Sequence, residues 1–316
     1  MTDSNGTWER DLITKLARDA LVEQRRRRRW GIFFKLLTFA YVTFILVLAV
    51  DWSSRGDFAS SKKHTAMVEL TGVISPGSDA SAEKVTASLQ AAFKDKNTQG
   101  VIMRINSPGG SPVQSQTIYD EMKRLRKKYP DIPLYAVVED ICASGGYFVA
   151  AGADRIYVSP SSIVGSIGVL MNGFGFTGTM EKLGVDRRLI TAGEHKGMLD
   201  PFSPVDPKEV EYAKTLIKDV HQQFINVVKE GRGKRLKETP DMFSGLIWTG
   251  AKSVELGLAD GFGSLDSVAR DVIKAEDIVD YTMKEGFAEK VAKRFGASVA
   301  SSLWEYALRA SWMPSF

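Results

Sequence analysis

The sequence predicts an α/β domain with a mainly parallel sheet, preceded by a single N-terminal transmembrane helix. Three observations predict it. Short apolar, strand-like runs alternate with helix-like runs from residue 66 onward. Two glycine-rich turns come directly after strand-like runs, at 106–111 and 142–147. Near the start, residues 36–50 are uncharged and almost wholly apolar, behind five consecutive arginines, Arg25 to Arg29.

Composition bounds the rest. A chain of 316 residues, 44% hydrophobic and 25% charged, is globular and long enough for one or two domains. A single cysteine, Cys142, excludes a disulfide framework and a cysteine-rich zinc site. His64, His195 and His221 stand far apart, so no metal and no cofactor is expected. The formal charge of +4 resides wholly in residues 1–35. The neutral remainder has no electrostatic footprint for nucleic acid.

The apolar run extends from Trp30 to Trp52 once its flanks are counted, which suffices to span a bilayer. Lys35 can snorkel to the headgroups, and the two tryptophans bracket the span as interfacial aromatics. A buried core helix would show a polar stripe, and a cleaved signal peptide would lack the long leader. The arginines place the leader in the cytoplasm by the positive-inside rule. The expected organisation is a basic cytoplasmic N-terminus (1–29), a retained signal anchor (30–52), a Ser-rich linker (53–64), an α/β domain (65–275) and a C-terminal helical segment (276–316).

Along the body, 66–74 reads as a strand and 81–94 as a helix with Val85, Leu89 and Phe93 on one face. A short buried strand covers 100–105, a long helix 113–129 and another strand 134–138. A small-residue helix opens over 142–151, and 188–190 is strand-like. Asp206 and Pro207 are a cap and first position for a long amphipathic helix to 229. A further helix is expected at 267–275. The tail, 285–312, has helical spacing and suits packing, an oligomer contact or a membrane surface.

The turn Asn106-Ser107-Pro108-Gly109-Gly110-Ser111 can offer backbone N–H groups to an anion, or be an ordinary tight turn. The turn Cys142-Ala143-Ser144-Gly145-Gly146-Tyr147 places a serine among small residues at a sharp entry to a helix. Ser144 is there either a nucleophile or a helix N-cap. A nucleophilic serine needs a base. His195 and His221 are candidates for a Ser–His–Asp arrangement. Lys196 is the candidate for a Ser–Lys pair, provided desolvation lowers its pKa towards roughly 7–8.

These pieces together resemble the signal peptide peptidase A family of Ser–Lys serine proteases, whose fold is shared with Clp protease and the crotonases. The resemblance covers roughly residues 65–275 and rests on the two turns, on Gly165-Ser166-Ile167-Gly168-Val169, and on Gly193-Glu194-His195-Lys196 with Asp200-Pro201-Phe202. The resemblance implies Ser144 as nucleophile, Lys196 as general base, Ser166 orienting the lysine amine, and the N–H groups of Gly110 and Gly145 as oxyanion hole. Many relatives carry serine after the lysine; this chain has Gly197. The resemblance further implies a membrane-anchored endopeptidase acting on signal-peptide remnants or similar apolar, unstructured peptides. It would sit in the bacterial inner membrane with its catalytic domain outside the cytoplasm. Short family members form rings or domes, and whether a neighbour completes each dyad is left open. A Clp-like triad would want histidine where Val169 stands. A crotonase-like acyl-CoA enzyme would lack its substrate outside the cytoplasm, and a degenerate scaffold would not retain Ser144, Ser166 and Lys196.

Overall fold

The computed structural model describes residues 5–53 and 62–283. They belong to two compact units, one holding the N-terminal helix and the other residues 62–283. The linker residues 54–61 and the expected tail helix at 285–312 lie outside the described residues.

Among the described residues, the first unit is one helix, α1, Asn5–Ser53, 49 residues long. It runs without a break from the basic leader through the apolar run, so the leader is helical as well. Trp30, Phe33 and Phe34 pack ring to ring at 5.7–5.8 Å, and Leu36, Phe39 and Phe44 are exposed. Among the described residues, no helix is long and apolar enough to cross a membrane.

The second unit is an eight-stranded sheet flanked by helices. Its elements are β1 (His64–Thr71), α2 (Ala82–Lys94), β2 (Thr98–Ser107), α3 (Pro112–Lys128), β3 (Leu134–Ala143), α4 (Gly145–Ala150), β4 (Arg155–Val158) and β5 (Ile163–Gly165). Then come α5 (Thr177–Lys182), α6 (Pro207–Arg232), β6 (Ile247–Thr249), α7 (Gly250–Glu255), β7 (Gly261–Phe262) and β8 (Ile278–Asp280). The strand order is β6-β5-β3-β2-β1-β8, with β4 beside β3 and β7 beyond β4. Every pairing is parallel except β5 with β6. The mixed α/β architecture expected from the alternation is therefore present.

Alternation along β2 divides the core. Val101, Met103 and Ile105 face α2 and α3 on one side, and Ile102 faces Val137, Tyr157 and Val268 on the other. Leu89 and Phe93 of α2 and Ile118, Met122 and Leu125 of α3 are fully buried. Each such side chain contributes about 1.5–3 kcal/mol relative to exposure. Ser81 and Ser111 occupy the N-cap positions of α2 and α3. Asp206 caps α6 by accepting from the Lys208 N–H, with Pro207 at the first helical position.

Three local expectations change. Residues 188–190 form no strand, and Ile190 is 95% exposed, where a ladder would cover it with a neighbouring strand. The helix expected at 267–275 is a short turn, Leu265–Ser267, continued by a π-helical turn, Val268–Ile273. Cys142 and Ala143 end β3 rather than open a helix, which begins at Gly145. Beyond residue 275, β8 joins the sheet beside β1.

The course of β3 positions the turn at its end. Its first half, Tyr135 to Val137, pairs with β4, and its last three residues, Ile141 to Ala143, pair with β5. The chain therefore leaves β2, β3 and β5 at the same carboxyl edge of the sheet, where α/β proteins bind ligands.

Candidate active site

The first glycine turn is built onto the chain just after β1. Ser107 at the end of β2 donates its hydroxyl to the Gly72 carbonyl (2.6 Å) and accepts from the Gly109 N–H (3.1 Å). The Ile74 N–H donates to the Gly109 carbonyl, and the Ser111 N–H to the Ile74 carbonyl, both at 2.8 Å. Gly110, between them, has φ +152°, and a Cβ there would lie 2.1 Å from the Ile74 oxygen. Only glycine fits.

The second turn places Ser144 at φ 51°, ψ −125°, a conformation non-glycine residues rarely adopt. It costs of order 1–3 kcal/mol, and its neighbours hold it. The Ser144 N–H donates to the Gly165 carbonyl (2.8 Å), and its carbonyl accepts from the Phe148 N–H (2.9 Å). Ser144 occupies the N-cap position of α4, yet its side chain makes no cap hydrogen bond. Its hydroxyl is thus not spent on capping. Gly145, the first helical residue, has a backbone N–H without an intrahelical partner. A Cβ on Gly145 would lie 2.5 Å from Ser115 Oγ and 3.2 Å from the Gly110 nitrogen. The missing side chain lets the two turns close on each other.

Ser166 repeats the pattern on the adjacent strand. It comes after Gly165 of β5, has φ 52°, and its N–H donates to the Leu246 carbonyl at 2.7 Å. Gly110, Ser144, Gly145 and Ser166 all line one cavity of about 740 Å³. Its apolar walls include Val113, Phe148, Leu170, Val220 and Phe224. A hydroxyl beside two backbone amides, over an apolar cavity, is suited to acyl transfer on a peptide with apolar side chains.

Lys196 is not brought into that cavity. It sits in an exposed turn, its N–H donating to the Gly193 carbonyl at 3.2 Å, and it is absent from the cavity lining. His195 is exposed in the same turn. His221, on α6, approaches the Ile167 carbonyl through Nε2 at 3.1 Å, which assigns that nitrogen the proton. Val169, where a Clp-like triad would carry histidine, lines the cavity. Burial pushes the Cys142 thiol pKa up.

Sequence reasoning missed the contributions of α6 and of Ser244 and Gly245, which close the cavity from afar in the chain. The only sequence signal was the amphipathic pattern of α6, which marks a buried face without naming its partner.

The model of peptidase family S49 matches residues 126–279, and that of Clp protease residues 62–164. The chain is 42% identical over 218 residues to a Brucella abortus protein named Na(+)/H(+) antiporter NhaA, covering 67% of this chain and 30% of that one. It spans less than a third of the antiporter's length. It is 30% identical over 234 residues to the Enterococcus faecium "Putative signal peptide peptidase SppA", covering 72% of this chain and 67% of that one. To a Synechocystis protein named "Putative protease slr0021" it is 34% identical over 205 residues, covering 65% and 72%.

Proposed function

Because this chain belongs to the SppA-type peptidases of family S49, we propose that it is a serine endopeptidase with Ser144 as nucleophile and Lys196 as base. The observation that carries the reading is the unspent Ser144 hydroxyl at a strained strand-to-helix turn, beside the Gly110 and Gly145 amides.

The chemistry proceeds in two halves. Neutral Lys196 takes the Ser144 proton as Oγ bonds to the scissile carbonyl carbon. The oxyanion that develops accepts from the Gly110 and Gly145 N–H groups. As the C–N bond breaks, the Lys196 ammonium returns the proton to the leaving amine. Water, deprotonated by Lys196, then attacks the acyl-enzyme, and the acid departs as Ser144 recovers its proton. Ser166 orients the amine without taking a proton.

Lys196 can act only where water is excluded, since a solvated ammonium stays protonated. We place its productive position in a homo-oligomeric ring or dome, where neighbouring chains cover the exposed turn. The exposed apolar residues Leu170, Phe174 and Ile190 support such covering. The substrates are remnant signal peptides or similar unstructured apolar peptides, which suits the cavity walls and the name of the Enterococcus relative. We further propose that 30–52 anchor the protein in the bacterial inner membrane, with 1–29 cytoplasmic and the peptidase unit outside. Arg25 to Arg29 and the exposed apolar side chains of α1 support the anchor.

A fluorophosphonate probe on the full chain in membranes tests the reading. Labelling at Ser144, lost in Ser144→Ala together with peptide hydrolysis, is the expected result. Hydrolysis that survives Ser144→Ala overturns it.

A further inference from the structure

A carboxylate near the amine of Lys196 would stabilise the ammonium and disarm the base. Asp200 is four residues from Lys196 in the same run of turns, and its backbone N–H donates to the Gly197 carbonyl at 3.1 Å. Its carboxylate is nonetheless engaged elsewhere. Asp200 Oδ2 accepts from Arg187 Nε at 3.3 Å and from the Ser203 hydroxyl at 2.7 Å. The Arg187 guanidinium is braced in turn, lying over the Phe202 ring at 5.8 Å. Phe202 stacks on Phe176 at 5.4 Å, and the Phe176 N–H donates to the Pro201 carbonyl at 2.7 Å. Arg187, Phe176 and Phe202 thus form a small platform that holds Asp200 by its side chain.

We propose that Arg187 is a positioning residue that keeps the Asp200 carboxylate off Lys196, so that the lysine can lose its proton when the site is covered. The inference rests on the Ser144–Lys196 reading and deepens it. It holds whether the lysine serves its own chain or a neighbour, because Asp200 travels with it. The Ser203 hydroxyl first, and then Arg187, hold the Asp200 carboxyl below the usual carboxylate range. An ionised group released beside the amine would act at full charge. The other charged groups near Arg187 and Lys196 in sequence are Asp186, Arg188, Glu194 and His195, and Lys208 and Glu209 stand at the start of α6. Of these, Glu209 already accepts from the Leu199 N–H at 3.3 Å.

An Arg–Asp pair whose arginine is exposed adds little stability. A role in stability alone would therefore scarcely be felt. A role in sequestering charge would be felt in the pH profile. The test measures kcat/KM against pH for the full chain in membranes, normalised by fluorophosphonate titration of active sites. In the wild type, activity should rise through one acid limb. Arg187→Gln should move that limb up by about one pH unit, the size of shift an opposite charge at short range produces. Ser203→Ala, which removes the other tie, should move it in the same direction by less. Adding Asp200→Asn to Arg187→Gln should return the limb to its wild-type position, and Arg187→Lys should leave it nearly in place. An unmoved limb in Arg187→Gln and Ser203→Ala, or a shift that persists without Asp200, overturns the inference and leaves the dyad intact. A wild type whose activity has no acid limb overturns the dyad reading itself.

Discussion

Ser144 and Ser166 are one residue past a registered pair on adjacent parallel strands, Ala143 of β3 and Gly165 of β5. Both serines have positive φ, 51° and 52°, and the Ser144 N–H is tied to the Gly165 carbonyl at 2.8 Å. The two hydroxyl-bearing residues are therefore fixed by the same ladder. In the proposed mechanism one attacks and the other orients the base, so a shared frame sets their separation.

Ser166→Ala should lower kcat at least about tenfold, roughly 1.4 kcal/mol of transition-state stabilisation. It should not abolish activity, because Ser166 takes no proton, and Gly197 offers no second hydroxyl. Steady-state kinetics checks this; a rate within twofold of the wild type removes Ser166 from the mechanism.

Gly110→Ala should cost about 10²–10³ in kcat, the loss typical of one oxyanion donor. The added Cβ would meet the Ile74 oxygen at 2.1 Å, and the turn must move to relieve it. Fluorophosphonate titration alongside the rate separates misplaced donors from unfolded protein. Full activity in the folded variant would place the oxyanion elsewhere.

His195→Ala and His221→Ala should retain substantial activity. His195 is exposed, and the His221 ring is committed to the Ile167 carbonyl. The second change removes one hydrogen bond, about 1 kcal/mol, as thermal unfolding would record. A dead histidine variant beside an active Lys196→Ala would favour a triad.

Asp260→Asn should destabilise the peptidase unit by about 3–5 kcal/mol in denaturant unfolding, since it breaks a buried pair. Arg232 is 1% exposed and donates to Asp260 Oδ2 at 2.8 Å; the Ile156 N–H donates to the same oxygen at 2.7 Å. Burial pushes the Asp260 carboxyl pKa up, but Arg232, the Ile156 N–H and Arg235 together outweigh it and hold the pKa below the usual range. The folded pKa being depressed, the stabilisation is present above the ordinary carboxylate value of about 3.9 and lost as pH falls through the folded value. The variant should show less loss of stability over that acid window; an equal loss would assign it to other groups.

Legibility in the sequence tracks the length and period of each element. The helix α2 announced its apolar face and α6 its amphipathic pattern and its cap, and β2 and β3 were apolar enough to read. Strands of two to four residues, β4 through β8, are too short for any period to register. β5 ends at Gly165, the first residue of the Gly165–Val169 motif, so Ser166 became visible only through a family resemblance. Residues 188–190 misled because Leu189 and Ile190 are apolar yet exposed, where a strand would need a partner edge. The position of Lys196 was not legible either, since a turn's approach to a cavity depends on what covers it.

The most direct test of the proposed mechanism is the hydrolysis rate of Lys196→Arg, measured on the full chain in membranes against Ser144→Ala as background. Arginine keeps the positive charge but cannot deprotonate in the working range. The proposed Ser–Lys mechanism predicts no turnover above that background, with the variant folded and assembled as the wild type is. Turnover within tenfold of the wild type would contradict it, because the base could then not be the residue at position 196.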